Sequence, residues 1–472
     1  MSAIALRLLD YLNALVLGYF VLLNAFYLLT TVVSFRGLRR YGRRLKTVDV
    51  DEMIGAGALP PITVIAPAYN ESAVCVEAAR SLLTLRYPDF EVIVVNDGSK
   101  DDTLQRLINA FDMAPARRAP TARLPHQPVR GIYHSRRYRN LWVIDKENGG
   151  KADTLNAGLS YCRTPLFCAM DADSLLERDA LVRIVRPFLE DRHTVAAGGI
   201  IRIVNDCTVR EGEVVEIRLP RRLLARIQVL EYLRAFLAGR MGWAMMRATL
   251  IISGAFGLFR RSVVVEAGGF ATDTVGEDME LVVRLHRHCR ELGIPYSVTF
   301  VPDPVAWTEC PETVRVLGRQ RRRWQRGLTE VLTRHRRMLF NPRYGVIGLL
   351  AYPYFFVLEM AGPMIEVAGY VGFSLALLLG RVNAQYALAF FLLAFVLGAV
   401  LSVASVALEE LTLRRYARLR DIVGLMALAC LEPFGYRQLN SWWRVMGLWE
   451  AARGRRGWGE MTRRGFSVEK AR

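Results

Sequence analysis

Residues 90–99 read Phe-Glu-Val-Ile-Val-Val-Asn-Asp-Gly-Ser. A run this rich in β-branched residues, closed by Asn-Asp-Gly-Ser, is a buried strand that ends in a tight turn. A helical pattern follows from Asp101 to about Phe111. The same unit recurs on either side. Ile62 to Ala66 is a short β-branched run followed by a polar turn and a helical pattern from about Ser72 to Leu85. Leu141 to Ile144 is a third strand, after which Asn148-Gly149-Gly150-Lys151 opens a helix to about Cys162. Leu166 to Met170 is a fourth, ending at Asp171-Ala172-Asp173. Strands alternating with helices in this way predict an α/β fold with a mainly parallel sheet covered on both faces.

Ligands in such sheets bind beyond the carboxyl ends of the strands. Tyr69, Asn70, Glu71, Asp97, Lys151, Asp171 and Asp173 all fall at or just past strand ends, so one cleft is expected to collect them. Asp171 and Asp173 are two apart in extended chain and point the same way. Like charges that close call for a cation between them, unless they merely cap a turn. Hard oxygen ligands suit Mg²⁺ or Mn²⁺, with the remaining ligands from water or phosphate. Lys151 behind two glycines at a helix start fits a phosphate, or a plain cap.

The segment Ala114 to Asn140 interrupts the pattern with seven arginines, four prolines and no acid, and reads as a basic insertion loop, either solvated or facing a membrane or acceptor. Further on, Gly276-Glu277-Asp278 precedes a helix over Met279 to Glu291. Gln320, Arg323 and Trp324 share one face of another helix by their i, i+3, i+4 spacing. An aromatic plane beside amide and guanidinium donors suits a sugar shelf; a basic amphipathic helix lying on lipid is the other reading. His286 and His288, two apart on a helix, are on different faces and read as surface or packing residues.

The flanks are apolar. Tyr11 to Ser34 carries no charge, about 36 Å as helix against a hydrocarbon core of about 30 Å. Its length and the lack of a small-x-small cleavage site suggest an anchor, not a removed leader. Arg36, Arg39, Arg40, Arg43, Arg44 and Lys46 follow it, which predicts an outside N-terminus and a cytoplasmic remainder. Gly345–Gly380 and Val382–Leu408 read as a hairpin of two spans, the first kinked by Pro353 and Pro363. Ile422–Trp449, broken at Glu432-Pro433-Phe434-Gly435, reads as interfacial or re-entrant. Glu359, Glu366 and Glu432 in these stretches mark either function or helix contact. Hydrophobic residues make up 52% of the 472 and the mean hydropathy is +0.18, which excludes a disordered chain. The formal charge of +18 calls for an anionic partner; because the arginines cluster beside predicted spans, anionic lipid is expected and nucleic acid is not. Seven cysteines without a Cys-x-x-Cys pair argue against a disulfide framework or zinc.

In this order Val64–Glu71, Asn96-Asp97-Gly98-Ser99, Lys151-Ala152-Asp153-Thr154-Leu155-Asn156, Asp171-Ala172-Asp173, Ser253-Gly254-Ala255-Phe256-Gly257, Gly276-Glu277-Asp278 and Gln320-x-x-Arg323-Trp324 resemble the motifs of the membrane-integrated family 2 glycosyltransferases, the group of cellulose, chitin, hyaluronan and poly-N-acetylglucosamine synthases. The resemblance covers about residues 60 to 330. It implies a glycosyltransferase-A fold, an inverting reaction and a nucleotide-sugar donor, usually UDP-linked. Asp97 would bind the uracil, with Glu71, Tyr69 and the backbone of Ala66 nearby. Asp171 and Asp173 would hold Mg²⁺ or Mn²⁺ on the diphosphate, and Lys151 would support it. Asp278 would be the general base; Gln320, Arg323 and Trp324 would hold the diphosphate and the acceptor end. Gly276 stands where many members have Thr. Gly457–Arg464 resembles the gating segment of hyaluronan and chitin synthases, with Trp458, Thr462 and Arg463 closing over the diphosphate; a basic tail on lipid is the plainer reading.

The expected layout is an N-terminal anchor and basic stop over 1–46, a cytoplasmic catalytic domain over 47–314 with the insertion at 114–140, amphipathic interface helices over 315–343, two transmembrane segments over 344–410, and an interfacial segment with a basic tail over 411–472. The expected activity is processive elongation of an extracellular polysaccharide from UDP-glucose or UDP-N-acetylglucosamine at the inner (plasma) membrane, on a growing glycan, with translocation. The alternative is addition of one sugar to a lipid acceptor; a non-catalytic membrane scaffold is the rival of another class. A homo-oligomer or a secretion partner is the further associate this reading admits.

Overall fold

All four strands read from the sequence form, and they lie side by side. The computed structural model describes residues 3–45, 50–55, 57–171, 174–210, 212–380, 382–413, 415–416 and 418–454. Strand β1 (Ile62–Ala68) pairs in parallel with β2 (Phe90–Asp97) and β6 (Leu166–Met170), and β2 pairs in parallel with β5 (Leu141–Lys146). The register sets Ala68 opposite Asn96 and Asp97 opposite Lys146, so the carboxyl ends are level. Ile62, Val64, Ile65, Ile93, Val95 and Ile144 are fully buried, as strands covered on both faces require.

The sheet is mixed. Strands β3 (Met113–Pro115), β4 (Val129–Ser135), β7 (Leu175–Leu176), β8 (Thr194–Ile203), β11 (Phe256–Arg260) and β12 (Ser297–Thr308) complete an order of β3-β4-β5-β2-β1-β6-β11-β8-β12-β7. A separate two-stranded sheet holds β9 (Thr208–Arg210) and β10 (Glu213–Glu216). Strand β11 runs antiparallel to β6, with Phe256 opposite Met170, so the loop before β11 lies beside the end of β6.

The basic insertion is not simply a loop. β4 adds to β5 antiparallel, with Ile132 opposite Ile144 and Tyr133 opposite Val143. Arg118 is buried: it bonds both oxygens of Glu91, donates to the Tyr161 carbonyl and lies 4.5 Å from the centre of the Trp142 ring. An isolated surface arginine would stay solvated; this one has a carboxylate, a carbonyl and an aromatic face to replace its water.

These strands belong to one compact unit, of residues Arg40–Pro220 and Arg247–Cys310. The second unit holds, among the described residues, those up to Arg39, Arg221–Met246 and those from 311 to 454. Among the described residues, three helices are long and apolar enough to cross a membrane: Tyr11–Arg43, Ile347–Leu378 and Ala384–Thr412. The Ile347–Leu378 stretch contains π-helical turns at Ile347–Ala351 and Phe355–Met360, around Pro353 and ahead of Pro363. Proline removes a backbone donor and forces the ladder to widen. The run over 422–449 is two helices, Leu419–Leu431 and Tyr436–Ala452, parted at Gly435, whose φ is +89°.

Every carboxylate named in these apolar stretches has a partner. Glu359 accepts from Tyr354 at 3.0 Å and pairs with Arg444 at 3.0 Å. Glu366 accepts from Tyr19 at 2.7 Å and from Ser441. Glu432 pairs with Arg234 at 2.9 Å and Arg437 at 3.4 Å. Unpaired, each would carry a heavy desolvation cost.

Candidate active site

Two loops at the level ends of β1 and β2 bind each other. Asn70, at φ +54°, donates its N–H to Ser99 Oγ at 3.0 Å, and its Oδ1 accepts from the Lys100 N–H at 2.8 Å. The Glu71 N–H donates to Thr103 Oγ1 at 2.9 Å and the Ser72 N–H to Asp101 at 3.1 Å. This cross-bracing presents Tyr69, which is 43% exposed. Ala66 lies inside the β1 ladder opposite Val94 and is buried.

Asp97 is enclosed. Its carboxylate accepts from Lys146 Nζ at 2.5 Å, Gly149 N–H at 2.9 Å, Gly150 N–H at 2.8 Å and Asn148 Nδ2 at 3.1 Å. Lys146 has no exposed surface and also meets Asp153 Oδ1 at 2.6 Å. The sequence suggested that Gly149-Gly150 would offer backbone donors to a phosphate. Here the Asp97 carboxylate takes the amides of both glycines, an anion supplied by the neighbouring strand at the entry to a helix. The close approach needs Gly98, at φ +63°, where a Cβ would lie 2.7 Å from the Asn148 nitrogen.

A second cluster forms where β6, the helix Lys151–Tyr161, the loop before β11 and the helix Glu277–Glu291 meet. Lys151 Nζ lies 2.5 Å from Asp171 Oδ1 and 3.2 Å from Glu277 Oε1. Asp278 Oδ2 accepts the Gly254 N–H at 2.9 Å, and its Oδ1 accepts the Met279 N–H at 2.7 Å. A Cβ on Gly254 would lie 2.6 Å from Lys151 Nζ and 3.5 Å from Asp278 Oδ2. One glycine therefore makes room for the ammonium and orients the carboxylate. Burial alone would lower the Lys151 ammonium, but Asp171, Glu277 and Asp278 outweigh it and hold it well above the usual lysine range. Burial pushes the Glu277 carboxyl up, opposed by Lys151 and reinforced by Asp278.

The catalytic unit thus brings Asp171, Lys151 and Asp278 into one cluster and places Asp97 at the end of β2, with Tyr69 and Glu71 on the loop after β1, at the same sheet end. Asp173, Trp458, Thr462 and Arg463 lie outside the described residues. Gln320, Arg323 and Trp324 belong to the other unit, on the helix Val314–Arg334. There Trp324 is 40% exposed, with the Arg321 guanidinium 4.3 Å from its ring centre, while Gln320 is buried. Arg321 is itself fixed by Glu231 at 2.5 Å, which also accepts from Tyr436 at 2.9 Å. Sequence reading missed Lys146 and Glu277. Glu277 sat inside a quoted motif, but Lys146 carried no local signal beyond following a strand. His286 packs inside the unit, with Nε2 donating to the Thr249 carbonyl at 2.7 Å and Nδ1 accepting from Tyr296 at 2.9 Å.

Residues 60–327 match the family model described as "Glycosyltransferase like family 2". The chain belongs to this family. Family 2 relatives include a poly-β-1,6-N-acetyl-D-glucosamine synthase of Staphylococcus aureus (strain COL), 27% identical over 321 residues, which cover 67% of this chain and 66% of that protein. The match therefore spans just under two thirds of that relative's length. The synthase of the same name from Staphylococcus epidermidis is 28% identical over 274 residues, covering 58% of this chain and 56% of that one. Among solved structures, the mannosyltransferase PcManGT of Pyrobaculum calidifontis, in complex with GDP-Man and Mn²⁺, superposes with a TM-score of 0.51 at 19% identity, covering 88% of this chain and 99% of the other. That likeness places the catalytic unit in the glycosyltransferase-A fold.

Proposed function

We propose that this family 2 glycosyltransferase is a processive, inverting polysaccharide synthase of the inner (plasma) membrane, with its catalytic unit cytoplasmic, that elongates and exports a glycan from a UDP-sugar. The observation that carries the reading is the meeting of Lys151, Asp171, Glu277 and Asp278 at the carboxyl end of the sheet, an ammonium gathered among carboxylates where a divalent cation and a diphosphate could be received. Likeness to two poly-N-acetylglucosamine synthases favours UDP-N-acetylglucosamine over UDP-glucose.

In this reading Asp278 is the base. Two backbone N–H groups, those of Gly254 and Met279, fix the direction of its carboxylate, one at each oxygen. It takes the proton of the acceptor hydroxyl as that oxygen bonds to the anomeric carbon from the face opposite the diphosphate. The bond from that carbon to the diphosphate oxygen breaks with its electron pair, and UDP leaves. A base so placed contributes about 10²–10⁴-fold. Tyr69, Glu71 and the backbone near Ala66 would flank the uracil, and Asp97 would meet it by giving up one of its four donors. Gln320, Arg323 and Trp324 would serve the acceptor end and Trp458, Thr462 and Arg463 would close over the diphosphate.

Mg²⁺ or Mn²⁺ fits the donor chemistry present. Asp171 offers a hard carboxylate whose side chain keeps 32% exposure, and Asp173 is two residues on. Hard cations of this kind usually keep waters and complete their shell from substrate phosphate, so Asp171 and Asp173 would hold the ion together with the diphosphate. When bound it supplies Lewis-acid stabilisation of the leaving diphosphate.

One observation favours the second reading, a single transfer to a lipid. Only three helices among the described residues are long and apolar enough to span a membrane, which leaves little wall for a glycan channel within one copy. Product length separates the two. Purified membranes given labelled UDP-N-acetylglucosamine should make a ladder or high polymer; a single glycolipid species would overturn processivity.

A further inference from the structure

Lys151 stands at the first position of its helix, where unsatisfied N–H groups and the helix dipole disfavour a positive charge. Carboxylates hold it there all the same. Asp171, 2.5 Å away, is 32% exposed at the cleft; Glu277, 3.2 Å away, is 5% exposed and sits behind it. Asp278 adds a third carboxylate, tied to Gly254, whose missing side chain leaves the ammonium its room. One ammonium among three carboxylates leaves the cluster with a net negative charge. It also means that the partly exposed carboxylate of Asp171 already carries, on Oδ1, a cation of the protein's own.

We propose that Lys151 is a resident counter-ion which yields Asp171 to a divalent cation when a nucleoside diphosphate arrives, and that Glu277 is the positioning carboxylate that keeps hold of the lysine through the exchange. The inference rests on the donor-site reading of the cleft and goes beyond it, because it gives the two ligands an order. An ammonium and a divalent cation compete for one carboxylate, so without nucleotide the cleft resists the cation. A diphosphate offers the displaced ammonium new anionic oxygens, so nucleotide and cation bind as a pair. Glu277 is suited to retain the lysine: it is buried, it cannot follow the lysine outward, and its contact is the longer of the two, leaving the ammonium able to pivot. Binding coupled in this way is reciprocal; whatever factor the nucleotide adds to cation affinity, the cation adds to the nucleotide's.

The test measures Mn²⁺ binding to the full chain in detergent by the electron paramagnetic resonance of free Mn²⁺, with and without UDP. The wild type should bind Mn²⁺ alone weakly and gain about tenfold or more with UDP. Lys151→Met, and Lys151→Gln measured beside it, should bind Mn²⁺ alone about tenfold more tightly than wild type, with the UDP-dependent gain largely gone. Lys151→Arg should return towards wild type. Glu277→Gln should weaken Mn²⁺ alone several-fold in the wild-type background, because the lysine then rests on Asp171 only, and should have little effect in the Lys151→Met background. Loss of a lysine that merely supports the fold, or only binds phosphate, would leave Mn²⁺-alone affinity unchanged or lower, and that result overturns the proposal. An equal Glu277→Gln effect in both backgrounds overturns the role given to Glu277. Failure of the underlying reading looks different: the wild type would release no UDP from any UDP-sugar with Mg²⁺ or Mn²⁺.

Discussion

The backbone N–H of Gly254 donates to Asp278 Oδ2 at 2.9 Å, joining the loop before β11 to the first turn of the helix Glu277–Glu291. The carboxylate is aimed by a residue with no side chain of its own, and that residue's bare Cα is also what admits Lys151.

Gly254→Ala should therefore separate folding from activity. Gly254 is not among the positive-φ glycines, so an alanine is unstrained in backbone; its methyl would meet the far end of a flexible lysine. The melting temperature should change little, while turnover falls about tenfold or more because the ammonium is displaced. Thermal melting and UDP release on the same preparation check this; equal loss of both would contradict it.

Lys146→Met should act on stability first. It leaves the buried carboxylates of Asp97 and Asp153 without their shared cation. Breaking a buried pair on one side costs about 3–5 kcal/mol. Denaturant unfolding of the catalytic unit should show that loss, and Lys146→Arg should not restore it fully, since no room is left in a fully buried site.

Stability should also fall with acid through His286. Burial, with Arg290 adding to it against the Thr249 hydrogen bond, pulls this imidazole down from 6.5 to about 4. The unfolded chain therefore takes a proton that the folded chain refuses. The stabilisation is complete above about pH 6.5 and drains away as pH falls towards 4, by up to ~3 kcal/mol. Melting temperature against pH should slope upward between 4.5 and 6.5, and His286→Gln should flatten that slope.

Trp324→Ala tests the acceptor shelf. The ring is 40% exposed, so its loss should leave the melting temperature within a degree or two. A lost sugar-stacking face is worth about 1 kcal/mol or slightly more, enough to shorten product several-fold. Product sizing on gels checks this. Unchanged length with weaker binding to anionic vesicles would assign the tryptophan to lipid instead.

The parallel heart of the sheet was legible because each of its strands is a short, mainly apolar run closed by polar turn residues, as at Phe90–Asp97. The antiparallel additions were not. Strand β8 reads Thr-Val-Ala-Ala-Gly-Gly-Ile-Ile-Arg-Ile, with small residues that fit between neighbours but carry weak strand preference. In β4, arginine, histidine and glycine hide a strand that pairs on both sides, with β3 and β5, by tertiary pairing. Within the site, Asp171, Lys151 and Asp278 could be named from motif order. Lys146 could not, because a lysine after a strand looks solvated until Asp97 and Asp153 are seen closing on it from either side. Glu277 looked like a helix-start acid, and only the position of Lys151 gives it a task.

The account stands or falls on Asp278. Asp278→Asn keeps the shape and one acceptor oxygen but removes the base, and it can be compared with wild type in two measurements on one preparation: transfer from labelled UDP-N-acetylglucosamine, and UDP binding with Mn²⁺. Transfer should drop by about 10² or more while UDP affinity stays within about threefold. Transfer within threefold of wild type would contradict the assignment of glycosyl transfer to this cluster.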